Sequence, residues 1–181
     1  MEHPTATVTA EGPPTDIIEA RTEQEVTAVA RLLREFACWC QDRYANRAWQ
    51  VARYFEANAW ESELADLGAR YAPPEGALFL ARRGDRSAGC VAVHLVGGGI
   101  AELRYLFVRP HCRGLGLGRR LTQAAIAWAA AHRCRAIRLD TGDLQPEAQE
   151  LYRSLGFREI PPYYPLPPDL RSHLVFMEKA L

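Results

Sequence analysis

Residues 101–131 read AELRYLFVRPHCRGLGLGRRLTQAAIAWAAA, and this stretch decides the fold. The run Leu103–Val108 is apolar and aromatic, which predicts a strand, and Pro110 ends it because proline has no N–H to give to a sheet. The glycines of residues 113–118 then allow a tight backbone turn. An alanine-rich helix is predicted to follow, from Gly118 to about His132. The sequence therefore predicts a strand, a glycine turn and a helix in direct succession.

The predicted helix has one apolar face, because its larger side chains recur at helical spacing: Leu117, Leu121, Ala124, Ala125 and Trp128. Its start is expected to bind an anion. The first N–H groups of a helix lack internal partners, and the helix dipole adds partial positive charge there. The residues around the glycines indicate which anion is expected to bind.

Two common phosphate-binding motifs do not fit these residues. A P-loop ends in Lys followed by Ser or Thr, whereas Arg119 and Arg120 follow the glycines here. A dinucleotide fingerprint also fails, since counting from either Gly114 or Gly116 its last position is not glycine. Asp140, at the end of the next predicted strand, stands about where a ribose-binding acid would sit. Because the glycine spacing is wrong, we interpret Asp140 as the cap of a turn.

The remaining pattern, R-x-x-G-x-G over Arg113 to Gly118, resembles the acyl-coenzyme A pyrophosphate loop of the GNAT superfamily of N-acetyltransferases. The resemblance continues downstream. Ala136–Thr141 read as the next strand, and Ala148–Phe157 (AQELYRSLGF) look like the superfamily's second motif, a helix that bears a tyrosine and ends at Gly-Phe. The matching segments cover about a third of the chain. One position departs from the pattern: Gln145 stands where many members carry an asparagine that touches the pantetheine arm.

The resemblance implies an α/β fold of GNAT type, with a mixed, mostly antiparallel central sheet flanked by helices. It also implies acetyl-CoA as the cosubstrate and direct attack of a primary amine on the acetyl group. The residues expected to bind acetyl-CoA are Leu106, Phe107 and Val108 at the strand end, Arg113, Gly114, Leu115, Gly116, Leu117 and Gly118 in the loop, and Gln145 and Tyr152.

Two residues are expected to move protons. Tyr152, the helix tyrosine, would protonate the departing thiolate, or else it is only a packed aromatic residue. Glu102, at the start of the central strand, would accept the amine proton, or else it only pairs with Arg104. The strand period of two places Glu102 and Arg104 on one face, and Leu103 and Tyr105 on the other.

Two helices near the N-terminus are expected to form one wall of the acceptor pocket. The first begins at Thr22, where Glu25 completes a capping box, and runs to about Cys40. The second is predicted over about Ala48 to Ala69. The candidate acceptor contacts are Arg43, Tyr44, Arg47 and Tyr54, together with Tyr163 and Tyr164. The two last tyrosines belong to the proline-rich loop, which follows Ile160 and precedes the last predicted strand at His173. The predicted acceptor is a small-molecule amine, and the alternatives are a protein or peptide N-acetyltransferase, a non-catalytic acyl-coenzyme A sensor, or a partner-binding module.

The rest of the sheet follows from turn signals. Strands over Ala77–Ala81 and Gly89–Val96 are joined by a tight turn, and three consecutive glycines return the chain into the central strand. Successive hairpins predict three neighbouring antiparallel strands. The long helix then makes a crossover to a parallel strand. A first strand is predicted at Ile17–Ala20 and a last one at His173–Lys179.

Composition limits the partners and the compartment. The chain of 181 residues has 22 basic and 22 acidic residues, so neither nucleic acid nor a membrane is expected as a partner. Five cysteines without paired CxxC motifs favour a reducing compartment and no metal. No signal peptide or apolar span is recognised, so a cytoplasmic protein is expected. We expect a flexible segment at residues 1–15 and one domain at residues 16–181, with a homodimer left open.

Overall fold

The computed structural model describes residues 13–181. Its sheet contains β1 (Thr15–Glu19), β2 (Gly76–Arg83), β3 (Arg86–Gly97), β4 (Ile100–Val108), β5 (Ala136–Gly142), β6 (Arg158–Ile160) and β7 (Leu174–Ala180). Its helices are α1 (Glu23–Arg43), α2 (Ala48–Ala57), α3 (Trp60–Ala65), α4 (Leu67–Arg70), α5 (Leu117–Ala131), α6 (Pro146–Ser154) and α7 (Pro168–Arg171). Of the segment predicted to be flexible, residues 1–12 lie outside the described part, whereas Thr15 pairs with Arg83.

The strands form one mixed sheet in the order β1-β2-β3-β4-β5-β7-β6. Every neighbouring pair is antiparallel except β4 and β5, which α5 connects as a parallel crossover. The three adjacent antiparallel strands β2, β3 and β4 are confirmed, as is the mixed sheet. Strand β7 lies between β5 and β6, so the chain end is paired on both sides.

The helices cover both faces of the sheet. Helix α5 buries Leu117, Leu121 and Ala125 against one face of β2, β3 and β4. Helix α1 buries Val29, Leu32 and Leu33 on the opposite face. Each face of the sheet contributes apolar side chains to its own cluster, so the sheet separates two hydrophobic cores. Strands β4 and β5 lie in the middle of the sheet, between the two cores.

Helix α1 begins as the sequence predicts. Thr22 is the N-cap, its hydroxyl accepts from the Glu25 N–H at 3.3 Å, and the Glu25 carboxylate accepts from the Thr22 N–H at 3.0 Å. These contacts hold the pKa of Glu25 at about 2, chiefly through the backbone N–H donors of Thr22 and Arg21. The capping box is therefore formed, and it satisfies N–H groups that the helix itself cannot.

We expect Thr22→Ala to lower the free energy of unfolding by about 1 kcal/mol, the usual contribution of such a cap. The loss should be measured by urea denaturation at neutral pH, where Glu25 is ionised. Thr22→Ser keeps the hydroxyl and should stay within a few tenths of a kcal/mol of the wild type. An equal loss in both variants would show that the hydroxyl does not carry the cap.

The second predicted helix, Ala48 to Ala69, is wrong as a single element. Residue Ala59 adopts a left-handed conformation with φ of 50°, and the stretch divides into α2, α3 and α4. The break lets Trp60 turn inward, where it stacks on Phe55 with ring centroids 4.6 Å apart. Tertiary packing of these two rings therefore overrides the helical pattern. The short helix α7, inside the proline-rich loop, was also not predicted.

Candidate active site

Strands β4 and β5 separate in the middle of the sheet. Their parallel pairing covers only Ile100–Glu102 with Ala136–Arg138, and beyond it the two strands no longer share a ladder. The edge of β4 from Leu103 to Val108 therefore offers backbone groups that β5 does not use. This opening lies directly before the glycine turn, because β4 leads into residues 113–118.

A β-bulge in this part of β4 changes which face of the sheet its side chains lie on. Tyr105 has φ of 57°, and the register with β3 shifts between the pairs Ala92↔Arg104 and Cys90↔Phe107, so an extra residue lies on β4. As a result Tyr105 lies on the same face as Arg104 and packs edge-on against Trp60 at 5.4 Å. The prediction that Tyr105 shares a face with Leu103 is wrong, because the bulge interrupts the period of two.

The glycine turn fits a diphosphate. Gly116 is the N-cap of α5 with φ of 72°, and Gly114 has φ of 80°. A Cβ built on either glycine has no atom within 4 Å, so the space beside the turn is open. The 15-residue helix α5 begins at this turn without a side-chain cap, so its first N–H groups and its dipole favour an anion there.

Arg113 is held against α1. Its Nε donates to the Val108 carbonyl at 3.2 Å, and its guanidinium lies 4.8 Å from the ring centroid of Trp39. Trp39 therefore supports the first residue of the loop from the neighbouring helix. Sequence reasoning did not select Trp39, because nothing in its local pattern distinguishes it from a core aromatic residue.

A cavity lies between the separated strands and the helices α1 and α2. Its lining is largely apolar and aromatic, with polar groups from β5, α6 and the two helices. The lining residues that the sequence singled out are Leu106, Gln145, Tyr152, Tyr44 and Tyr54. The structure thus brings together candidates for cosubstrate and acceptor binding from four separate segments: β4, the end of α1, α2, and α6 with its N-cap.

Among the cavity-lining residues within 13–181, Asp140 is the one with a charged side chain. The Tyr54 hydroxyl donates to its Oδ2 at 2.9 Å and the Tyr164 hydroxyl to its Oδ1 at 3.1 Å. Burial is the largest influence and raises the pKa of Asp140, although Arg104 and the two hydroxyls oppose it. The interpretation of Asp140 as a turn cap is wrong, because it lies inside β5 and its carboxylate accepts from tyrosines of α2 and the proline-rich loop.

Glu102 is buried in a different network. Its two oxygens accept from His94 Nε2 at 3.0 Å and from the Tyr163 hydroxyl at 2.7 Å, and Arg104 lies 3.7 Å away. Burial alone opposes ionisation, but the His94 hydrogen bond, the Arg104 charge and the Tyr163 hydrogen bond outweigh it and lower the pKa of Glu102. Glu102 does share a face with Arg104, as predicted. Its role as a base stays a prediction, and its occupied oxygens favour a role in holding Tyr163.

The predicted acceptor contacts divide into two groups. Arg43 bonds the Leu144 carbonyl at 2.8 Å and both oxygens of Glu147 at 3.0 Å, and Arg47 pairs with Asp143 at 2.6 Å. Both guanidinium groups are thus paired with carboxylates of this chain. The tyrosines remain as candidates. Tyr44 and Tyr54 line the cavity, and Tyr164 bonds the cavity carboxylate Asp140. Tyr163 bonds Glu102, which is not among the lining residues within 13–181.

Tyr152, the predicted proton donor, lies on the cavity wall, and its role stays a prediction. It is buried on α6 and lines the cavity, and within residues 13–181 its hydroxyl has no hydrogen-bond partner. Burial, reinforced by the charge of Asp140, raises the pKa of Tyr152, so the phenol keeps its proton at neutral pH. Nearby, Gln145 accepts from Thr141 at 3.2 Å, which orients its side chain at the start of α6.

A sheet that opens between two parallel strands, beside a glycine turn at a helix start, is the arrangement expected from the sequence resemblance for binding an acyl-coenzyme A. The model of the acetyltransferase (GNAT) family matches residues 26–157. An N-acetyltransferase of Schizosaccharomyces pombe is 41% identical over 111 residues, covering 59% of this chain and 68% of the relative. An IAA acetyltransferase of Azospirillum brasilense is 33% identical over 163 residues, covering 90% of this chain and 96% of the relative.

Solved structures agree with this fold. An acetyltransferase from Streptococcus agalactiae superposes with a TM-score of 0.72 at 21% identity, covering 92% of this chain and 98% of that one. An N-acetyltransferase from Thermoplasma acidophilum, in complex with coenzyme A, superposes with a TM-score of 0.67 at 14% identity, covering 93% and 99%.

The chain belongs to the acetyltransferase (GNAT) family. It is an acyltransferase whose cosubstrate is acetyl-CoA, and the predicted fold, family and cosubstrate are confirmed. No helix within residues 13–181 is both long and apolar enough to cross a membrane. In the same residues, no cluster of three or more His, Cys, Asp or Glu side chains is placed to hold a metal ion.

Proposed function

We propose that the protein transfers the acetyl group of acetyl-CoA to the primary amine of a small, cationic molecule that binds in the cavity beside Asp140. One observation carries this proposal. The cavity lining described for residues 13–181 contains the carboxylate of Asp140 and no Lys, Arg or His. A carboxylate in a largely apolar cavity attracts an ammonium group, whereas an acceptor with its own carboxylate would find no cation there.

Different parts of the chain bind the diphosphate and the pantetheine arm of acetyl-CoA, the molecule that supplies the activated acetyl thioester. The glycine turn and the start of α5 hold the diphosphate through backbone N–H groups. Gln145 and the open edge of β4 at Leu106, Phe107 and Val108 hold the pantetheine arm. A backbone N–H of this edge, near Leu106, stabilises negative charge that develops on the acetyl oxygen.

Two protons have to leave the nitrogen of an ammonium acceptor. An amine of pKa about 10 is mostly protonated at neutral pH, so it must lose one proton before it can attack. A second proton leaves as the C–N bond forms and the C–S bond breaks. Asp140 accepts the first nitrogen proton and passes it to solvent. Tyr152 gives its proton to the departing sulfur, and the second nitrogen proton restores the Tyr152 hydroxyl. The balance is one amide, one thiol and one proton released.

We expect Tyr152→Phe to lower kcat by about 10²-fold, at the low end for general acid catalysis, because a thiolate is already a fair leaving group. The affinity for acetyl-CoA should change little, since the hydroxyl has no other bond to lose. Steady-state kinetics with a calorimetric titration of acetyl-CoA measure both quantities. An unchanged kcat, with the chemical step shown to be rate-limiting, would leave Tyr152 as a packing residue.

The experiment that tests the proposed function is a thiol-release assay over a panel of small primary amines, with product masses measured in parallel. Amine-dependent release of coenzyme A and a matching gain of one acetyl group per amine are expected. Binding of acetyl-CoA without release in the presence of any amine would favour a sensor, and release only with peptides would favour a protein acceptor.

A further inference from the structure

The cavity contains a buried amide whose oxygen has no partner. Gln50 of α2 is 3% exposed and lines the cavity together with Asp140. Within residues 13–181 its Oε1 is buried and accepts no hydrogen bond. Buried acceptors without partners are uncommon because they lose their bonds to water, so this oxygen calls for an explanation.

The orientation of the Gln50 amide follows from its neighbours. Its nitrogen lies 3.4 Å from Oδ1 of Asp143 and 3.4 Å from the carbonyl oxygen of His173. Both neighbours are acceptors, so the NH₂ group has to face them. The opposite flip would place the amide oxygen against two other oxygens. The unpartnered atom is therefore the oxygen.

A charged cluster holds this amide in place. Oδ2 of Asp143 accepts from Arg47 at 2.6 Å and from His173 at 3.0 Å, which fixes the carboxylate and leaves Oδ1 to accept from Gln50. The Gln50 side-chain nitrogen is thus held by Asp143 and by the His173 carbonyl, whereas in the described residues no group donates a hydrogen bond to its Oε1. Such a preorganised acceptor in an apolar cavity suits a ligand that brings a donor.

We propose that Gln50 selects acceptors that carry a second N–H or O–H donor besides the reacting amine, and that its Oε1 accepts the hydrogen bond of that donor. This inference rests on the proposed function and specifies its substrate class: amino alcohols, diamines and related amines without a carboxylate. The ammonium end pairs with Asp140, and the second polar end reaches Gln50 past the apolar side chains of Phe55 and Val51.

The test compares amines with equal numbers of heavy atoms: pentylamine, 4-aminobutan-1-ol and 1,4-diaminobutane, and the homologous sets of shorter and longer chains. At the best chain length, the wild-type kcat/KM for the amino alcohol or diamine should exceed that for the alkylamine by about tenfold, because a site built for a hydrogen bond rejects analogues that lack it. Gln50→Leu should bring this ratio near one without changing the KM for acetyl-CoA.

Two controls keep the result unambiguous. Gln123→Leu, on the exposed face of α5, makes the same chemical change outside the cavity and should keep the wild-type ratio. Gln50→Met is the replacement if Gln50→Leu does not fold. A ratio near one in the wild type, or a ratio unchanged in the folded Gln50 variants, would overturn the inference.

Binding separates this inference from the proposed function. The same amines are added to the protein with coenzyme A, and their stabilisation against thermal unfolding is measured without any turnover. If no amine is acetylated but the Gln50-dependent preference persists in binding, the proposed function fails and the inference stands. If amines are acetylated without any such preference, the inference fails and the proposed function stands.

Discussion

Asp140→Asn is expected to lower kcat/KM for a primary amine by about 10²–10⁴-fold at neutral pH, the usual range for loss of a general base. The carboxylate lies in the cavity, and the hydroxyls of Tyr54 and Tyr164 fix both of its oxygens. Asparagine preserves the shape but cannot take a proton. The deficit should shrink as the pH rises toward the pKa of the amine, because the free amine then forms without help.

The same substitution should not destabilise the fold. Burial raises the pKa of Asp140 above the ordinary value of 3.8, so its ionisation opposes folding once the pH passes through that window. Asp140→Asn removes this penalty, and its free energy of unfolding at pH 7 should equal or exceed that of the wild type. A large loss of stability would mean that the activity change reports misfolding.

Glu102→Gln is the matched variant. Within residues 13–181, Glu102 is not among the residues that line the cavity. Its pKa is lowered, in spite of its burial, by the His94 hydrogen bond, the Arg104 charge and the Tyr163 hydrogen bond, so we expect a smaller fall in activity with no recovery at high pH. Its effect should appear mainly in the KM for the amine, through Tyr163. If Glu102→Gln instead shows the large, pH-dependent loss and Asp140→Asn does not, Glu102 is the base.

Gly116→Val is expected to weaken acetyl-CoA binding by about 10²-fold or more, which corresponds to about 2.7 kcal/mol. Gly116 has φ of 72°, a conformation that costs other residues about 1–2 kcal/mol. A built Cβ points into open space at the start of α5, so a valine side chain would occupy the volume proposed for the diphosphate. Isothermal titration calorimetry measures the change directly.

Gly98→Val separates strain from obstruction. Gly98 lies in the β3–β4 turn with φ of 59°, and its Cβ would also meet nothing within 4 Å. The conformational strain is therefore similar, but no ligand is expected there. Acetyl-CoA affinity should be unchanged in Gly98→Val. Equal affinities in the two folded variants would remove the glycine turn from the cosubstrate site.

The sequence predicted those parts of the fold that depend on local pattern. Helix α5 begins at Leu117 and ends at Ala131, within one residue of the prediction, because glycines before it and an apolar face along it are both local signals. The capping box at Thr22 is equally local. The position of β7 between β5 and β6 depends on contacts between distant segments, and no local pattern predicts it.

Sequence patterns selected part of the cavity lining and missed the rest. Gln145 and Tyr152 line the cavity, and they follow from one contiguous motif. Asp140 and Gln50 come from β5 and α2, and only the fold brings them together. The bulge at Tyr105 and the break at Ala59 decide how this wall is shaped. Both lie beside Trp60, which contacts Tyr105 and follows Ala59, and a helical or strand period does not predict such contacts.

A comparison of acceptor charge tests whether the acceptor is a small cationic amine. Initial rates of coenzyme A release are measured for an alkylamine, for the amino acid that carries a carboxylate on the same carbon chain, and for a short peptide with a free N-terminus. We expect the highest kcat/KM for the amine without a carboxylate, and we expect the Asp140→Asn variant to lose this preference. Faster turnover of the amino acid or the peptide than of any simple amine would contradict it.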